Sequence, residues 1–442
     1  MRPKIGFVTC VHPIYNLPAV TQHRDEAVAA LRQAGCDVVA TEIARDSRDA
    51  RSIAGILQLE QVDLVLFFFC TWVAEEITLS LARELDRIPL LLWALPYLDK
   101  NVPMPSPVTG LVATGSNIRR LGRSYMHMVG AVTPEHVQKA ARAARAAAVV
   151  TRLRNARFGI VGHPCPGMID TGCDELTLQK CLGATVIHRD LDNLVRAAGQ
   201  SDAAVASELA AQLVSRTGST EVDPHTIADQ YRLYLGMKSM VESDRLDGFT
   251  VRCWPELRDQ HKLTVCLTLS EMAEQGVPNA CESDLTALVT SYVLTQFAGT
   301  PSYSFDITGY LEEERALQLA HCGSAALSLA GEAKCTAVRG HMRTGAGALV
   351  EFGFKPGIVT IAKLQQPQNG RMKMFIGRGE VIATPPEVRG SVATIRVEPS
   401  PDLFLDTLMR EAVEHHLVVV YGDWTAELGL FAQFADIEVV RP

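Results

Sequence analysis

The sequence predicts an α/β protein with two doubly wound parallel-sheet domains and a mainly antiparallel, β-barrel-like C-terminal domain. Over the first two thirds, short continuous apolar runs alternate with amphipathic helical segments, which is typical of parallel sheets covered on both faces. Beyond about residue 300, short β-type runs separated by Gly and Pro replace that pattern. The length of 442 residues is also too great for one hydrophobic core.

The first domain is predicted to cover residues 1–155. Its strands and helices are assigned from apolar runs and from helical periodicity respectively. The predicted strands are Lys4–Thr9, Asp37–Ala40, Val62–Cys70 and Ile88–Ala94, and the predicted helices are Ala19–Gln33, Ala50–Leu59 and Ala74–Leu85. The Ala- and Arg-rich segment 132–153 favours a long connecting helix that starts at Thr133 and Pro134.

The central domain is predicted to cover residues 156–300 and the barrel-like domain residues 301–442. The central domain begins with a strand at Arg157–Val161 and ends with a helix at Ser283–Phe297. The last domain contains β-type runs and closes on a helix, strand, helix, strand pattern. The β-type runs are Ala333–Arg339, Ala348–Phe354, Ile358–Leu364, Met372–Ile376 and Val392–Val397.

Charge and cysteine content exclude several classes of function. The formal net charge is −8 and there is no basic run, so neither a nucleic acid nor a membrane surface is an expected partner. The 11 cysteines form no CxxC pair, which fits a reducing compartment better than a disulfide framework. The longest apolar run, Leu64–Cys70, is too short to span a membrane, and the first residues do not resemble a signal peptide. We therefore expect a cytoplasmic protein.

Two acidic positions are candidates for chemistry. Glu282 and Asp284 directly precede an apolar helix, although an acidic residue there also serves as an ordinary N-terminal cap. Asp306 lies inside a β-type run, where a buried carboxylate needs a cation. A solvent-facing strand position or a turn before Gly309 is the alternative reading for Asp306.

Histidines supply the remaining candidates. His415 and His416 directly precede an apolar strand, where imidazole is a common metal ligand; partly exposed histidines at a helix C-terminus are the alternative. His321 stands beside Cys322, and a packed histidine is its more ordinary reading.

Together, two carboxylates and one or two histidines suit an open site for Mn²⁺ or Mg²⁺, and the mixed N/O set favours Mn²⁺. Such an ion can hold two vicinal substrate oxygens and polarise a carbonyl, while flanking carboxylates move a carbon-bound proton. These are the requirements of aldose–ketose interconversion through an enediol.

The segment CESDLTALVTSYVLTQFAGTPSYSFDIT (281–308), the HCG at 321–323 and the HH pair at 415–416 resemble the metal segments of the L-fucose and L-arabinose isomerase family. GFTVRCWPEL (248–257) occurs in the same order. The resemblance implies a sugar isomerase with Mn²⁺ at Glu282, Asp306 and His416, with Mg²⁺ or Co²⁺ as alternatives. It further implies that Glu282 and Asp306 act as acid and base, in an unassigned order, and that the protein is a homo-oligomer, with a hexamer expected by analogy.

The resemblance also implies secondary roles and leaves the sugar open. His321, Trp254 and His12, the last from a neighbouring subunit, are candidates for contacting the substrate. The first 245 residues match neither branch of the family motif by motif, so a deoxy sugar or a sugar with an anionic group remains a candidate substrate. Arg252, Arg343 and Lys355 are candidates for binding such an anion.

Two other classes of function remain open. A metal-dependent epimerase or aldolase uses the same enediolate chemistry and the same ligands. A non-catalytic sugar-binding protein is also built from two α/β domains. The lack of a GxGxxG after an early strand in either α/β domain argues against a dinucleotide-dependent dehydrogenase.

Overall fold

A computed structural model describes residues 2–15, 18–98, 106–384 and 389–442. The chain divides into two compact units, residues 1–152 with 427–437, and residues 153–426 with 438–442. The division of the second unit into a central and a C-terminal domain stays a prediction. In the described part of the chain, every helix is too short or too polar to cross a membrane.

The first unit contains a five-stranded, fully parallel sheet. Its strands are β1 (Lys4–Cys10), β2 (Asp37–Ala40), β3 (Leu64–Phe69), β4 (Leu90–Ala94) and β5 (Met126–Val129). They lie in the order β2-β1-β3-β4-β5. Every residue of β3 and β4 is buried, as expected for central strands of a parallel sheet whose two faces are both covered.

Five helices alternate with these strands along the chain. They are α1 (Pro18–Gln33), α2 (Ser47–Leu59), α3 (Glu75–Glu84), α4 (Pro107–Arg120) and α5 (Pro134–Asn155). Ile53 of α2, Ile77 of α3 and Ile118 of α4 share a core with Phe67 and Phe69 of β3. Asp46 begins α2 by accepting hydrogen bonds from two first-turn amides. The connecting helix predicted from the Ala-rich segment is therefore present as α5.

The second unit contains most of the remaining strands and helices. Its strands are β6 (Arg157–Val161), β7 (Thr185–Arg189), β8 (Ser219–Thr220), β9 (Gly248–Val251), β10 (Asn279–Cys281), β11 (Tyr303–Leu311), β12 (Ala316–His321), β13 (Ala337–Arg339), β14 (Leu349–Gly353), β15 (Gly357–Leu364), β16 (Lys373–Ile382), β17 (Ser391–Val397), β18 (Leu417–Tyr421) and β19 (Glu438–Val440). The helices from this point of the chain onwards are α6 (Glu175–Leu182), α7 (Leu191–Gln200), α8 (Ala203–Arg216), α9 (Pro224–Asp244), α10 (Cys266–Glu274), α11 (Leu285–Ala298), α12 (Pro401–Arg410) and α13 (Thr425–Phe434).

Two sheets organise the second unit. One is parallel, in the order β10-β9-β6-β7. The other has ten strands in the order β19-β16-β15-β18-β11-β12-β17-β14-β13-β8. Most pairs in it are antiparallel, whereas β8, β19 and the β14–β17 pair add parallel contacts.

The fold is therefore mixed α/β, with two parallel sheets and one large mixed sheet. The expected antiparallel pairing is present, but the barrel is not confirmed and stays a prediction. A closed barrel requires pairing between strands that are not neighbours in the order of an open sheet. One such pairing is present, because β16 also pairs with β17 in an antiparallel manner.

One hydrophobic core joins the two sheets of the second unit. Phe249 and Val251 of β9 belong to the same buried cluster as Phe305 of β11 and Leu417 and Val419 of β18. Because this core holds the carboxyl end of β9 near the mixed sheet, side chains from both sheets can meet there.

Candidate metal and substrate site

The turn between β10 and α11 presents Glu282. Cys281 ends β10, and Asp284 is the N-cap of α11, where its Oδ1 accepts hydrogen bonds from the Ala287 amide and the Thr286 hydroxyl. Between them, Glu282 and Ser283 have φ angles of 63° and 59°. Two consecutive left-handed non-glycine residues cost free energy and tend to persist at functional sites. The strain here aims a buried carboxylate away from the helix.

His416 is buried just before β18 and is held by a second carboxylate. Its Nδ1 lies 3.0 Å from Asp284 Oδ2, and the same oxygen accepts from Lys363 Nζ at 2.8 Å. Since a carboxylate only accepts, His416 Nδ1 carries the proton and Nε2 points the other way. An imidazole oriented by a carboxylate at its far nitrogen is the usual arrangement of a metal-binding histidine.

Glu282 and His416 face each other directly. His416 Nε2 is 3.1 Å from Glu282 Oε2, and Asp306 Oδ1 is 3.7 Å from the same nitrogen. Burial alone would raise the pKa of Glu282, but the His416 imidazole 3.1 Å away and the positive charge of His321 lower it to about 2. Burial alone would lower the pKa of His416, but Asp284 and Glu282 raise it to about 9. Without a cation, the charges of Glu282 and Asp284 are therefore balanced by the His416 imidazolium and the buried Lys363.

Asp306 lies on β11 at the edge of this group. Its side chain is 42% exposed, whereas those of Glu282 and His416 are 10% and 2% exposed. His415 reaches Asp306 only at 3.9 Å, and its Nδ1 lies 2.6 Å from Asp170 Oδ2. Asp306 is thus the member of the group that is open to solvent, and His415 is turned towards Asp170.

His321 has the opposite hydrogen-bonding pattern from His416. Its Nδ1 accepts from the Cys322 amide at 3.0 Å, so in the neutral ring the proton is on Nε2. That nitrogen faces Glu282 Oε2 at 3.9 Å. A proton on Nε2 makes His321 a donor towards the site, which suits a contact with a substrate oxygen better than a metal bond.

A pocket of about 290 Å³ connects these groups with basic side chains. Glu282, Asp306 and His321 line one part of it, and Arg258 and Arg343 line another. His341, also in its wall, has a lowered pKa because of burial and of the charges of Arg258 and Arg343. The pocket therefore combines an acidic part with a part of positive potential.

The other sequence candidates are placed as follows. Trp254 lines the pocket and donates from Nε1 to Glu282 Oε1 at 3.3 Å. His12 belongs to the first unit, where its ring stacks on Trp72 at 5.3 Å. Arg252 pairs with Glu256 and Lys355 lies over the Tyr421 ring, and neither lines this pocket. Of the three proposed anion-binding cations, only Arg343 is a pocket residue.

Three features of the site escaped the sequence analysis. The sequence makes Asp284 a candidate for chemistry or for a cap, but it does not indicate that Asp284 orients His416. Lys363 is fully buried on β15. The sequence does not indicate a role for it, because it is a single charged residue in an apolar run. Arg258 and His341 carried no motif, and only the folded chain brings them to the pocket.

The donor atoms suit a divalent cation. His416 Nε2 is buried and, despite its closeness to Glu282, makes no hydrogen bond of acceptable geometry with any described residue. Glu282, His321 and His416 place ligand atoms within 4.8 Å of one another, as do Asp306, His415 and His416. The tautomer of His321 disfavours it as a nitrogen ligand, whereas burial and closer carboxylates favour His416 over His415.

Comparisons with known proteins agree with the sequence motifs. Residues 319–441 match the family described as "L-fucose isomerase, C-terminal domain". Three similar relatives are each named sulfoquinovose isomerase. That of Alkalicoccus urumqiensis is 26% identical over 80% of both chains, that of Priestia aryabhattai 23% over 96% of both, and that of a Clostridium species 25% over 87% of this chain and 89% of the relative. The resemblance to the L-fucose isomerase family is thereby confirmed, at low identity.

Solved structures add nothing to this result. An ABC sugar transporter subunit from Rhodobacter sphaeroides is 10% identical and covers 67% of this chain and 93% of that chain, with a TM-score of 0.19. A score at this level supports no inference about fold or function.

Proposed function

We propose, from the match of residues 319–441 to the L-fucose isomerase family, that the protein is a divalent-metal-dependent aldose–ketose isomerase. We propose further that its substrate is a monosaccharide carrying an anionic group, of which sulfoquinovose is an example. The names of the relatives support the reaction class, and the basic part of the pocket supports the anionic group. A cytoplasmic homo-oligomer with Mn²⁺ remains the expected form.

The environment of His416 Nε2 is the main structural support for this proposal. This buried nitrogen lacks a hydrogen bond within the described residues and lies near the carboxylates of Glu282 and Asp306. Both carboxylates line a pocket large enough for a sugar. Glu282, Asp306 and His416 would hold the ion. When bound, a divalent cation supplies polarisation of the substrate carbonyl and charge stabilisation on two vicinal oxygens.

The chain itself supplies proton transfer. Glu282 and Asp306 differ in exposure, one buried and one open to solvent, so their environments differ as those of an acid and base pair must. The low pKa of Glu282 keeps its carboxylate ionised, as a metal ligand must be. His321 donates a hydrogen bond from Nε2 to a sugar oxygen, and Trp254 fixes Glu282 through its indole N–H.

The basic part of the pocket supplies substrate selection. Arg343 makes no ion pair among the residues that the structure describes, whereas Arg258 is already paired with Asp259 at 2.6 Å. A guanidinium without a protein partner suits an incoming sulfonate, phosphate or carboxylate. Arg343 would therefore hold the anionic end of the sugar while its carbonyl end lies near Glu282.

The test is an isomerase assay in D₂O with protein stripped by EDTA and reloaded with Mn²⁺. Sulfoquinovose, other acidic sugars, L-fucose and L-arabinose serve as substrates. We expect metal-dependent conversion of an anionic aldose, with deuterium entering at C1 or C2. Two fragments would instead indicate an aldolase, a stereoisomer of the same carbonyl type an epimerase, and binding without turnover a sugar-binding protein.

Glu282→Gln should reduce turnover by at least about 1,000-fold, because the variant loses both a charged ligand and a proton acceptor. Glu271→Gln is the matched control: Glu271 is buried in the same unit, where it accepts from Tyr231 and Arg216, and it does not line the pocket. Full activity in Glu282→Gln would refute the assignment.

A further inference from the structure

A second group of ligand-type side chains lies on the side of Glu282 that faces away from His416. Cys165, Cys253 and Glu282 place one ligand atom each within 4.8 Å of one another. Glu282 Oε1 is 4.0 Å from Cys253 Sγ, while Oε2 faces His416. We infer that these three side chains form a second cation site, selective for a thiophilic ion such as Zn²⁺ or Cd²⁺.

The topology explains why these residues meet. β9 pairs in parallel with both β6 and β10, so the carboxyl ends of the three strands share one edge of the sheet. Cys165 follows β6, Cys253 follows β9, and Glu282 follows β10. The three loops leave the sheet side by side, and their ligand atoms converge without any sequence spacing typical of a zinc motif.

The Sγ atoms of the two cysteines lie within 4.8 Å of each other. Cys165 is 2% exposed and donates to the Trp254 carbonyl at 3.5 Å. Cys253 lines the pocket, so an ion reaches the pair by the same route as the substrate.

The donor set differs in kind from that around His416. Two sulfurs and one carboxylate oxygen favour Zn²⁺ or Cd²⁺, whereas two carboxylates and an imidazole suit Mn²⁺ or Mg²⁺. Binding breaks two S–H bonds, forms two metal–sulfur bonds and releases two protons to the solvent. The two oxygens of Glu282 therefore serve sites of different chemical softness.

One consequence is competition for Glu282. An ion held by both thiolates draws Oε1 towards the cysteines and withdraws the carboxylate from the group around His416. Thiophilic ions are therefore expected to lower the affinity of the His416 site for Mn²⁺. The sulfur site itself requires only the two cysteines and Glu282, so it stands whether or not the protein isomerises a sugar.

The experiment titrates the reduced, metal-free, full-length protein with Cd²⁺ and follows the ultraviolet charge-transfer absorption of Cd²⁺–thiolate bonds. The double variant Cys165→Ser/Cys253→Ser should lose the tightest binding step, with affinity reduced at least about 100-fold. Cys335→Ser, which replaces an exposed cysteine in another part of the unit, should bind as the parent protein does. Equal tight binding by parent and double variant would overturn the inference.

A second measurement uses only the parent protein, in case the double variant fails to fold. X-ray absorption spectroscopy of protein loaded with one equivalent of Cd²⁺ should show two sulfur neighbours. A shell of oxygen and nitrogen alone would overturn the inference. Neither measurement depends on sugar turnover. The sulfur site can therefore be confirmed or refuted even if the isomerase assay fails.

Discussion

The two parallel sheets of this protein follow the same topological rule but carry different chemistry at their carboxyl ends. In the first sheet, Cys10 ends β1 and Cys70 follows β3, and both thiols are fully buried with pKa values raised mainly by burial. In the second sheet, Cys165, Cys253 and Glu282 follow neighbouring strands. All groups of three ligand-type residues found in the described residues lie in the second unit.

The difference lies in what faces each edge. The edge of the second sheet shares its core with the mixed sheet, which contributes Asp306, His321 and His416. In the first unit, the described parts of the chain include no second sheet. A parallel-sheet edge provides a place for a site, but opposing ligands must come from another element. Four changes test this comparison.

The largest effect is expected for His416→Ala. His416 is a buried imidazole that Asp284 orients and whose Nε2 lies close to both Glu282 and Asp306, so its removal should abolish tight Mn²⁺ binding and lower turnover at least about 1,000-fold. His415→Ala is the matched control, because His415 faces Asp170. This variant should lose less than about tenfold in Mn²⁺ affinity and in turnover. Calorimetric Mn²⁺ titration and the isomerase assay measure both. A larger loss in His415→Ala than in His416→Ala would show that His415, and not His416, is the metal ligand.

The next effect is expected for Asp284→Asn, which acts through His416 and Lys363. The variant leaves a buried lysine unpaired, at a cost of about 3–5 kcal/mol in unfolding free energy, and weakens Mn²⁺ binding about 10–100-fold. Asp174→Asn makes the same substitution at another N-cap of the unit, on α6, and should cost less than about 1 kcal/mol with unchanged Mn²⁺ affinity, because asparagine also caps helices. Denaturant unfolding measures the change in stability of each variant, and calorimetry measures the change in its Mn²⁺ affinity. Unchanged Mn²⁺ affinity in Asp284→Asn would show that Asp284 is only a cap.

A smaller effect is expected from pH on the metal-free protein. The pKa of His416 rises from its ordinary 6.5 to about 9, so its stabilising contribution is complete below pH 6.5 and is lost as pH rises through about 9. The pKa values of Glu282 and Asp284 are lowered, so their contributions are present above their ordinary values and are lost in acid. Unfolding free energy should therefore fall by about 1–3 kcal/mol between pH 6.5 and 9.

His416→Ala should remove most of that alkaline fall. Mn²⁺ affinity of the parent protein should change in the opposite direction and increase over the same pH range, because the ion replaces the proton on Nε2. Denaturant unfolding at several pH values measures the first effect and calorimetry the second. A stability that is independent of pH in this range would contradict the assigned charge state.

The smallest effect is expected for Arg343→Ala. Loss of one exposed guanidinium should raise KM for an anionic sugar about tenfold or less, with kcat nearly unchanged. A neutral sugar used as substrate is the control, because its KM should not respond. An equal rise in KM for both sugars would show that Arg343 does not select the anion.

Much of the fold could be predicted from the sequence because it depends on local patterns. The buried strands β3 and β4 are continuous apolar runs, and α5 follows from Ala-rich composition. The exact pairing of the later strands could not be predicted. Registers such as Phe305 with Leu417 join residues far apart in the chain, and β-type runs of similar composition do not specify their partners.

The candidate site was predictable in its residue types and order, but not in its geometry. Glu282, Asp306 and His416 were identified from motifs, and the structure places both carboxylates within 3.7 Å of His416 Nε2. The substrate-contact roles of His12, His321 and Trp254 stay predictions. Arg252 and Lys355 were chosen by charge alone, and their partners Glu256 and Tyr421 were not visible in the sequence.

The sequence by itself determined the order of strands and helices, the absence of a zinc-type cysteine motif, and a set of acidic and histidine candidates. Only the tertiary structure decided which nitrogen of each histidine is free, because that depends on Asp284 and on the Cys322 amide. Only the tertiary structure brought Cys165 and Cys253 to Glu282. The physical reason is that ligand geometry depends on strands that are adjacent in the sheet but distant in the chain, whereas composition and periodicity report only on neighbours in sequence.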